Sequence, residues 1–400
     1  MQRLSGPGSG DFRRVCRGSA EQHDRKGDAW HEKAIISQAA RLLHCHRMRR
    51  GPLLIALFAI SAHAQQWTGY VDGALFATSV NQTGPKTPEN KFFSTNWLLA
   101  GAERDLGSRS SVMFRGRFSL EPLTILREGY PQLLQYLSPE SGGPLLDHQR
   151  AHDLIEEVAV GLEWRPLQLY LAPVGEPPLG PEPYAQRASS LDFAEAPFAY
   201  DLQESFHVAT RVVAAAVTTN AVDIEGGVFH NAISTGRHTT IDDGNIDSWS
   251  ARLTIAPRSR VSAQISTARL GDEKREVTSA SVSYNGAAIA ASAIATRRDH
   301  LSAYGVESTL RGGRNTLMAR LESVDRPAGV FNFNLHRTTH FTLGYIFDIL
   351  RRPPYRVGLG ANIDYHSGNP ELQPVYGHKP QSVFTFVRVR TDRATRPASP

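Results

Sequence analysis

The densest group of chemically capable side chains is Asp147-His148-Gln149-Arg150-Ala151-His152-Asp153, followed at once by Glu156 and Glu157. Imidazoles beside carboxylates are hard to borderline donors that suit zinc, copper or nickel. His207, with Glu204 close by, joins them if the chain folds back. Asp147, His148, His152, Asp153 and His207 are therefore the candidate ligands for a divalent transition metal, and no other cofactor is indicated. Their spacing matches no defined metal motif. The same residues at a loop-to-strand corner would cap backbone groups, and both readings stay open.

A second chemistry draws on Ser205 and His207, which share one face of a strand because they are two residues apart. A lipid hydrolase at the rim of a membrane protein needs a serine and a histidine within hydrogen-bond reach. Residues i and i+2 point the same way in any strand, however. With no Gly-x-Ser-x-Gly elbow and no nameable oxyanion donor, the chain reads as a non-enzyme.

A third set consists of charges placed at every second residue. Arg115, Arg117, Arg211, Arg252, Arg320 and Arg356 stand against Glu121, Glu157, Glu163, Glu307, Glu322 and Asp364. On the inner wall of a barrel such residues line a water-filled pore and tune its selectivity. They can equally pair across strands and fill the interior.

The elements that must carry these residues are strands with two unlike faces. In 111–121, Val112, Phe114, Gly116, Phe118 and Leu120 alternate with Ser111, Met113, Arg115, Arg117, Ser119 and Glu121. Thr316 to Glu322 and Tyr355 to His366 repeat the pattern. It predicts about sixteen strands, near 67–79, 94–104, 110–121, 155–164, 166–172, 206–218, 221–229, 247–256, 260–269, 276–285, 287–297, 302–311, 315–323, 338–348, 354–365 and 381–390. Runs of about ten residues match a tilted transmembrane strand and exceed the usual five or six of soluble sheets. Trp164, Trp249, Tyr355 and Tyr365 fall near strand ends on the apolar face, where an interfacial girdle belongs.

Tight turns such as 165–166, 219–220, 257–259, 285–286 and 312–314 alternate with longer polar linkers. The longest are Pro122 to Leu154 and Pro173 to Ser205. Short turns on one side and long loops on the other is the plan of bacterial outer-membrane barrels, and an even strand count places both termini in the periplasm. The two long loops carry aromatics and leucines, including Tyr130, Leu133, Leu134, Tyr136, Phe193 and Phe198, enough to fold into a lumen and narrow it. No apolar helix is long enough to span a bilayer, so the membrane option is a closed barrel; a water-soluble periplasmic barrel is the competing option. The expected fold is all-β: a transmembrane, antiparallel, up-and-down β-barrel with two long loops. Sixteen strands leave room for an aqueous channel.

Met48-Arg49-Arg50, the apolar run Leu53 to Ile60 and Ala62-His63-Ala64 read as a secretion signal cleaved near Ala64. The expected organisation is an N-terminal extension, non-native or unstructured, over 1–47, a signal over 48–64, a barrel over 65–390 and a polar tail over 391–400. Eleven of the 44 basic and five of the 39 acidic residues lie at or before Ala64, so the remainder carries about −1 in place of +5. Cys16 and Cys45 also lie there. Nucleic-acid binding and thiol chemistry are thereby set aside. At the other end, Phe384 and Phe386 are followed by Arg388 and Arg390, unlike the aromatic finish common in outer-membrane strands.

Several loop motifs resemble those of a set of uncharacterised, porin-like bacterial outer-membrane barrel proteins. They are Ser119-Leu120-Glu121-Pro122, Glu128-Gly129-Tyr130-Pro131, Asp147 with Gln149 and His152-Asp153-Leu154, Tyr170 to Pro177 with Leu179-Gly180-Pro181, Glu204-Ser205 with His207, and Pro374 to Gly377. The resemblance extends from about Gly69 to Arg390. It implies outer-membrane localisation and, because some members occur beside heavy-metal resistance genes, a metal-linked role. Arg150 stands where the family motif has its first histidine, and His148 is displaced by two positions. The expected function is a passive porin-like channel or a structural envelope protein, with the metal-linked role as the alternative and a lipid hydrolase behind it. Its expected partners are outer-membrane lipids, the barrel-assembly machinery and further copies of the chain.

Overall fold

The computed structural model describes residues 66–83, 90–125, 129–137, 145–203, 209–231, 244–271, 274–326, 336–367, 370 and 373–391. The chain divides into two units, 1–61 and 62–400, and all described residues belong to the second. The expected extension, the signal and all of the expected tail but Thr391 lie outside them.

The strands are β1 (Thr68–Thr83), β2 (Asn90–Asp105), β3 (Ser110–Phe118), β4 (Tyr130–Leu137), β5 (Leu145–Gln149), β6 (Ile155–Trp164), β7 (Leu167–Gly175), β8 (Ala209–Thr218) and β9 (Val222–Asn231). They continue with β10 (Ser248–Ile255), β11 (Val261–Leu270), β12 (Arg275–Asn285), β13 (Ile289–Arg298), β14 (Leu301–Gly312), β15 (Asn315–Arg326), β16 (His336–Arg352), β17 (Tyr355–Ser367) and β18 (Gln381–Thr391). β1 to β3 and β6 to β18 form one closed barrel of sixteen strands, each antiparallel to its neighbours, and β1 pairs with β18 to shut it. Closure leaves no sheet edge with unpaired backbone groups. β4 and β5 form a separate hairpin inside the long connection from β3 to β6.

Alternation decides which way each side chain points. On β18, Val383, Val387 and Val389 are exposed outward, while Ser382, Phe384, Phe386, Arg388 and Arg390 are buried inward. The arginines that break the expected aromatic finish are thus lumen residues. Gly360 makes room beside them, since a Cβ there would collide with the Phe386 ring. The outer face is apolar around the barrel, with Val71, Phe114, Leu162, Ile224, Ile265, Val306, Leu321 and Leu359 all exposed. Trp164, Trp249, Tyr355 and Tyr365 are exposed at strand ends, as expected of two aromatic girdles.

Tight connections at 106–109, 165–166, 219–221, 256–260, 286–288, 313–314 and 353–354 lie on one side of the barrel. The opposite side has the longer linkers, with short ones at 271–274 and 299–300. One long linker, residues 176–203, runs inside the barrel and is buried for most of its length. Three apolar anchors seat it. Leu179 packs with Val212, Phe229 and Leu270, Phe193 with Phe76, Met318, Ile346 and Phe386, and Phe198 with Leu134, Ala303 and Val324. Each buried phenylalanine contributes about 1.5–3 kcal/mol from area alone.

Candidate functional site

Because the loop brings backbone and charge into the lumen, the inner wall must satisfy both. Asp192, near the middle of the loop, is the hub of one half. Its Oδ1 accepts from Arg390 at 2.7 Å and from Arg388, and its Oδ2 accepts from Arg311 Nη2 at 2.8 Å. Burial alone would raise its pKa, but the three guanidiniums hold the carboxyl well below the usual carboxylate range. Glu307 on β14 is the second hub, paired to Arg187 of the loop at 2.6 Å and to Arg320 of β15 at 3.2 Å, with Ser189 Oγ donating at 2.7 Å. Arg320 also lies over the Phe193 ring, 3.9 Å from its centroid. Glu322 accepts the Phe198 and Ala199 amides at 2.9 Å each. Arg326 contacts Asp201 at 2.7 Å and lies over the Phe198 ring.

Of the expected pore-lining charges, Arg117, Glu157, Glu307, Arg320, Glu322 and Asp364 are buried on strands of the wall, and Glu121 lies past the end of β3. Arg117 is buried against Glu156 and Glu176. A register shift between β3 and β6 near Arg117 turns the consecutive residues Glu156 and Glu157 both inward, which strict alternation could not indicate. Glu157 accepts from Arg115 at 2.6 Å and from the Tyr170 hydroxyl. Glu163 sits at the turn end, paired with Arg165 at 2.9 Å. Arg211 is exposed at a bulge with φ of 52°, outside the regular alternation. Arg356 and Asp364 share the inward register of β17; Arg356 is half-buried and Asp364 buried.

A cavity of about 450 Å3 remains between the loop and β3 and β7 to β12. Its lining runs from Thr254, Ser262 and Asn285 beside the tight turns up to residues 176–183 and 186–187 of the loop. Alanine at 214–216 and serine at 262, 281 and 283 keep it wide, because short side chains leave the lumen unfilled. Its charges are mixed: Arg115, Arg187 and Arg252 with Glu176, Glu182 and Glu225. Arg252 and Glu225 form a two-bond pair at 2.6 and 2.8 Å, and both side chains are about a quarter exposed to the cavity water.

The histidine loop divides its members. Glu121 receives both the backbone N–H and Nδ1 of His152 at 2.8 Å, and the imidazole packs against Tyr184 and Tyr200, which also contact each other. Burial would lower the pKa of His152, but Glu121 and Glu156 outweigh it and raise the imidazole to about 9. Asp147, with φ of 57°, accepts the Leu134 amide at 2.7 Å and the Tyr376 hydroxyl at 3.0 Å. These two residues hold corners of the loops, the alternative open at the start. His148 and Asp153 are half-buried. None of Asp147, His148, His152 and Asp153 belongs to the one group of three possible metal donors found among the described residues. His207, Ser205 and Glu204 lie outside the described residues.

That group is His340, Asp364 and His366, all buried. Reading the sequence had placed only Asp364 among the functional candidates. His340 and His366 are directly opposite on β16 and β17, but the register between these strands shifts at Ile349. Counting back from the tight turn without that shift puts His340 opposite Ser367. The bulge conceals the pair in the sequence.

No protein-family model and no curated protein matches the chain. Among solved structures, the anion-selective porin from Comamonas acidovorans matches at 13% identity with a TM-score of 0.52, covering 81% of this chain and 100% of that one. A mutant of the Rh. blastica porin matches at 9% identity and TM-score 0.47, covering 81% and 100%. OmpT, an outer membrane protein of Vibrio cholerae, matches at 11% identity and TM-score 0.44, covering 80% and 99%. The first of these shares the barrel fold with this chain.

Proposed function

We propose that the protein is a narrow porin-like channel of the bacterial outer membrane for small polar solutes. The observation that carries this reading is the lumen itself. A sixteen-strand barrel with an apolar outer face retains a polar, charge-lined cavity of about 450 Å3 beside an inward-folded loop. The apolar outer surface suits lipid, since a soluble barrel would pay for exposing so many large side chains to water. The fold shared with the Comamonas acidovorans porin supports the same reading.

Selectivity follows from the pairing. Each cavity arginine sits near a glutamate, and Arg252 with Glu225 is the most accessible such pair. A balanced lining gives a transverse field with little net sign, so the channel discriminates by size more than by charge. Reconstitution of the purified protein into planar bilayers tests this, with discrete small conductance steps as the expected result. A folded barrel that never conducts would remove the channel reading and leave a structural envelope protein.

A further inference from the structure

Among the described residues, most charges of the lumen loop and wall pair with one another, although several keep one unpartnered atom. Both oxygens of Glu195, a fully buried loop residue, lack a hydrogen-bond partner. So do both ring nitrogens of His366, Nε2 of His340 and Oδ2 of Asp364. Buried polar atoms left without partners are costly and few in native proteins. Other atoms of this kind occur elsewhere in the lumen, but at His340, Asp364 and His366 they converge. The donor atoms of His340, Asp364 and His366 all lie within 4.8 Å of one another, and Glu195 interacts electrostatically with Asp364 and His340.

We propose that His340, Asp364 and His366 of the wall form a buried site for a divalent transition metal, zinc by its donor set, with the Glu195 carboxylate of the lumen loop as a nearby counter-charge. Two imidazoles and one carboxylate are a known three-ligand zinc set, with a water filling the fourth position.

The surroundings are those of a ligand set. Nδ1 of His340 lies 3.2 Å from Glu322 Oε2, and Glu322 is fixed in turn by the Phe198 and Ala199 amides. A carboxylate on one imidazole nitrogen sets the tautomer that presents the other nitrogen to a metal. That other nitrogen, Nε2, faces Asp364 Oδ2 at 3.5 Å, longer than the roughly 2.7–2.9 Å of a charge-assisted hydrogen bond. Asn362 Nδ2 donates to Asp364 Oδ1 at 3.3 Å, which leaves Oδ2 for the site. The two imidazole rings stack at 4.5 Å, and Phe198 closes over both. All three ligands belong to β16 and β17, and the lumen loop packs over them through Phe198.

The test uses the full chain, purified in detergent, unfolded with a chelator and refolded with zinc. Heat-modifiable gel migration confirms that each sample is folded. The folded parent should hold about one zinc per chain after desalting, as a structural site does. His366→Gln and Asp364→Asn should hold little or none, while His148→Gln should match the parent. Cobalt refolded into the parent gives a second readout that needs no variant, namely visible absorption bands of a four-coordinate ion. A folded parent that retains no zinc and shows no such bands overturns the proposal. So does retention unchanged in folded His366→Gln and Asp364→Asn. Zinc retention is read independently of conductance, so neither result decides the channel reading.

Discussion

Asp192 Oδ1 and Arg390 Nη1 meet at 2.7 Å although 198 residues separate them, so the loop inside the barrel is tied to the strand that closes it. Arg388 and Arg311 converge on the same carboxylate. Three guanidiniums therefore converge on one acid, and Asp348 holds Arg388 as well, at 2.6 Å.

Asp192→Asn should unseat this part of the loop. Removing one partner of a buried ion cluster costs about 3–5 kcal/mol because uncompensated charge is left behind. The heat-modifiable gel transition should move to a lower temperature. An unchanged transition would mean that the loop does not depend on this hub. The sign with pH follows from the depressed pKa: the contribution is present above the ordinary carboxylate value of 3.8 and is lost as pH falls through the lower folded value. The parent loop should accordingly stay seated at pH 4.

His152 gives the opposite sign. Its folded pKa is raised from 6.5 to about 9, so its stabilisation is complete below 6.5 and fades as pH rises through about 9. His152→Gln should narrow the stability gap to the parent steadily over that window in denaturant titrations. A gap that stays constant from pH 6 to 10 would show that the pairing with Glu121 does not titrate there.

How much of this was legible beforehand differs by element. All sixteen barrel strands follow from period-two patterning, because lipid outside and polar lumen inside demand it. Phe384 and Phe386 mislead in that pattern, being apolar yet inward, and only the loop that packs on them explains why. The β4–β5 hairpin was hidden because Leu134 takes a φ of 60° and the β4–β5 register shifts between Pro131 and Tyr136. The pairing of Asp192, Arg388 and Arg390 depends on closure across the whole barrel, which no local pattern carries. Two register shifts hid the rest: the one beside Glu156 turns it inward against the alternation, and the one at Ile349 sets His340 opposite His366.

Phe193 is the loop's central anchor, buried among Phe76, Met318 and Ile346 beneath Arg320. Phe193→Ala should cost about 3–5 kcal/mol and make single-channel current noisier as the loop samples other positions. Quiet current at parental stability would show that the other two anchors suffice.

Arg252 and Glu225 face the cavity and should set its ion preference. Glu225→Gln leaves the guanidinium unopposed and should shift the reversal potential in a salt gradient toward anions. Arg252→Gln should shift it toward cations by a similar amount. Two variants with the parental reversal potential would place the ion path elsewhere.

The central claim, a conducting barrel narrowed by residues 176–203, is tested most directly by single-channel recording of the parent beside a variant lacking part of that loop. The parent should give small, discrete steps and the shortened chain larger ones. A folded parent without steps, or steps of equal size in both proteins, would contradict it.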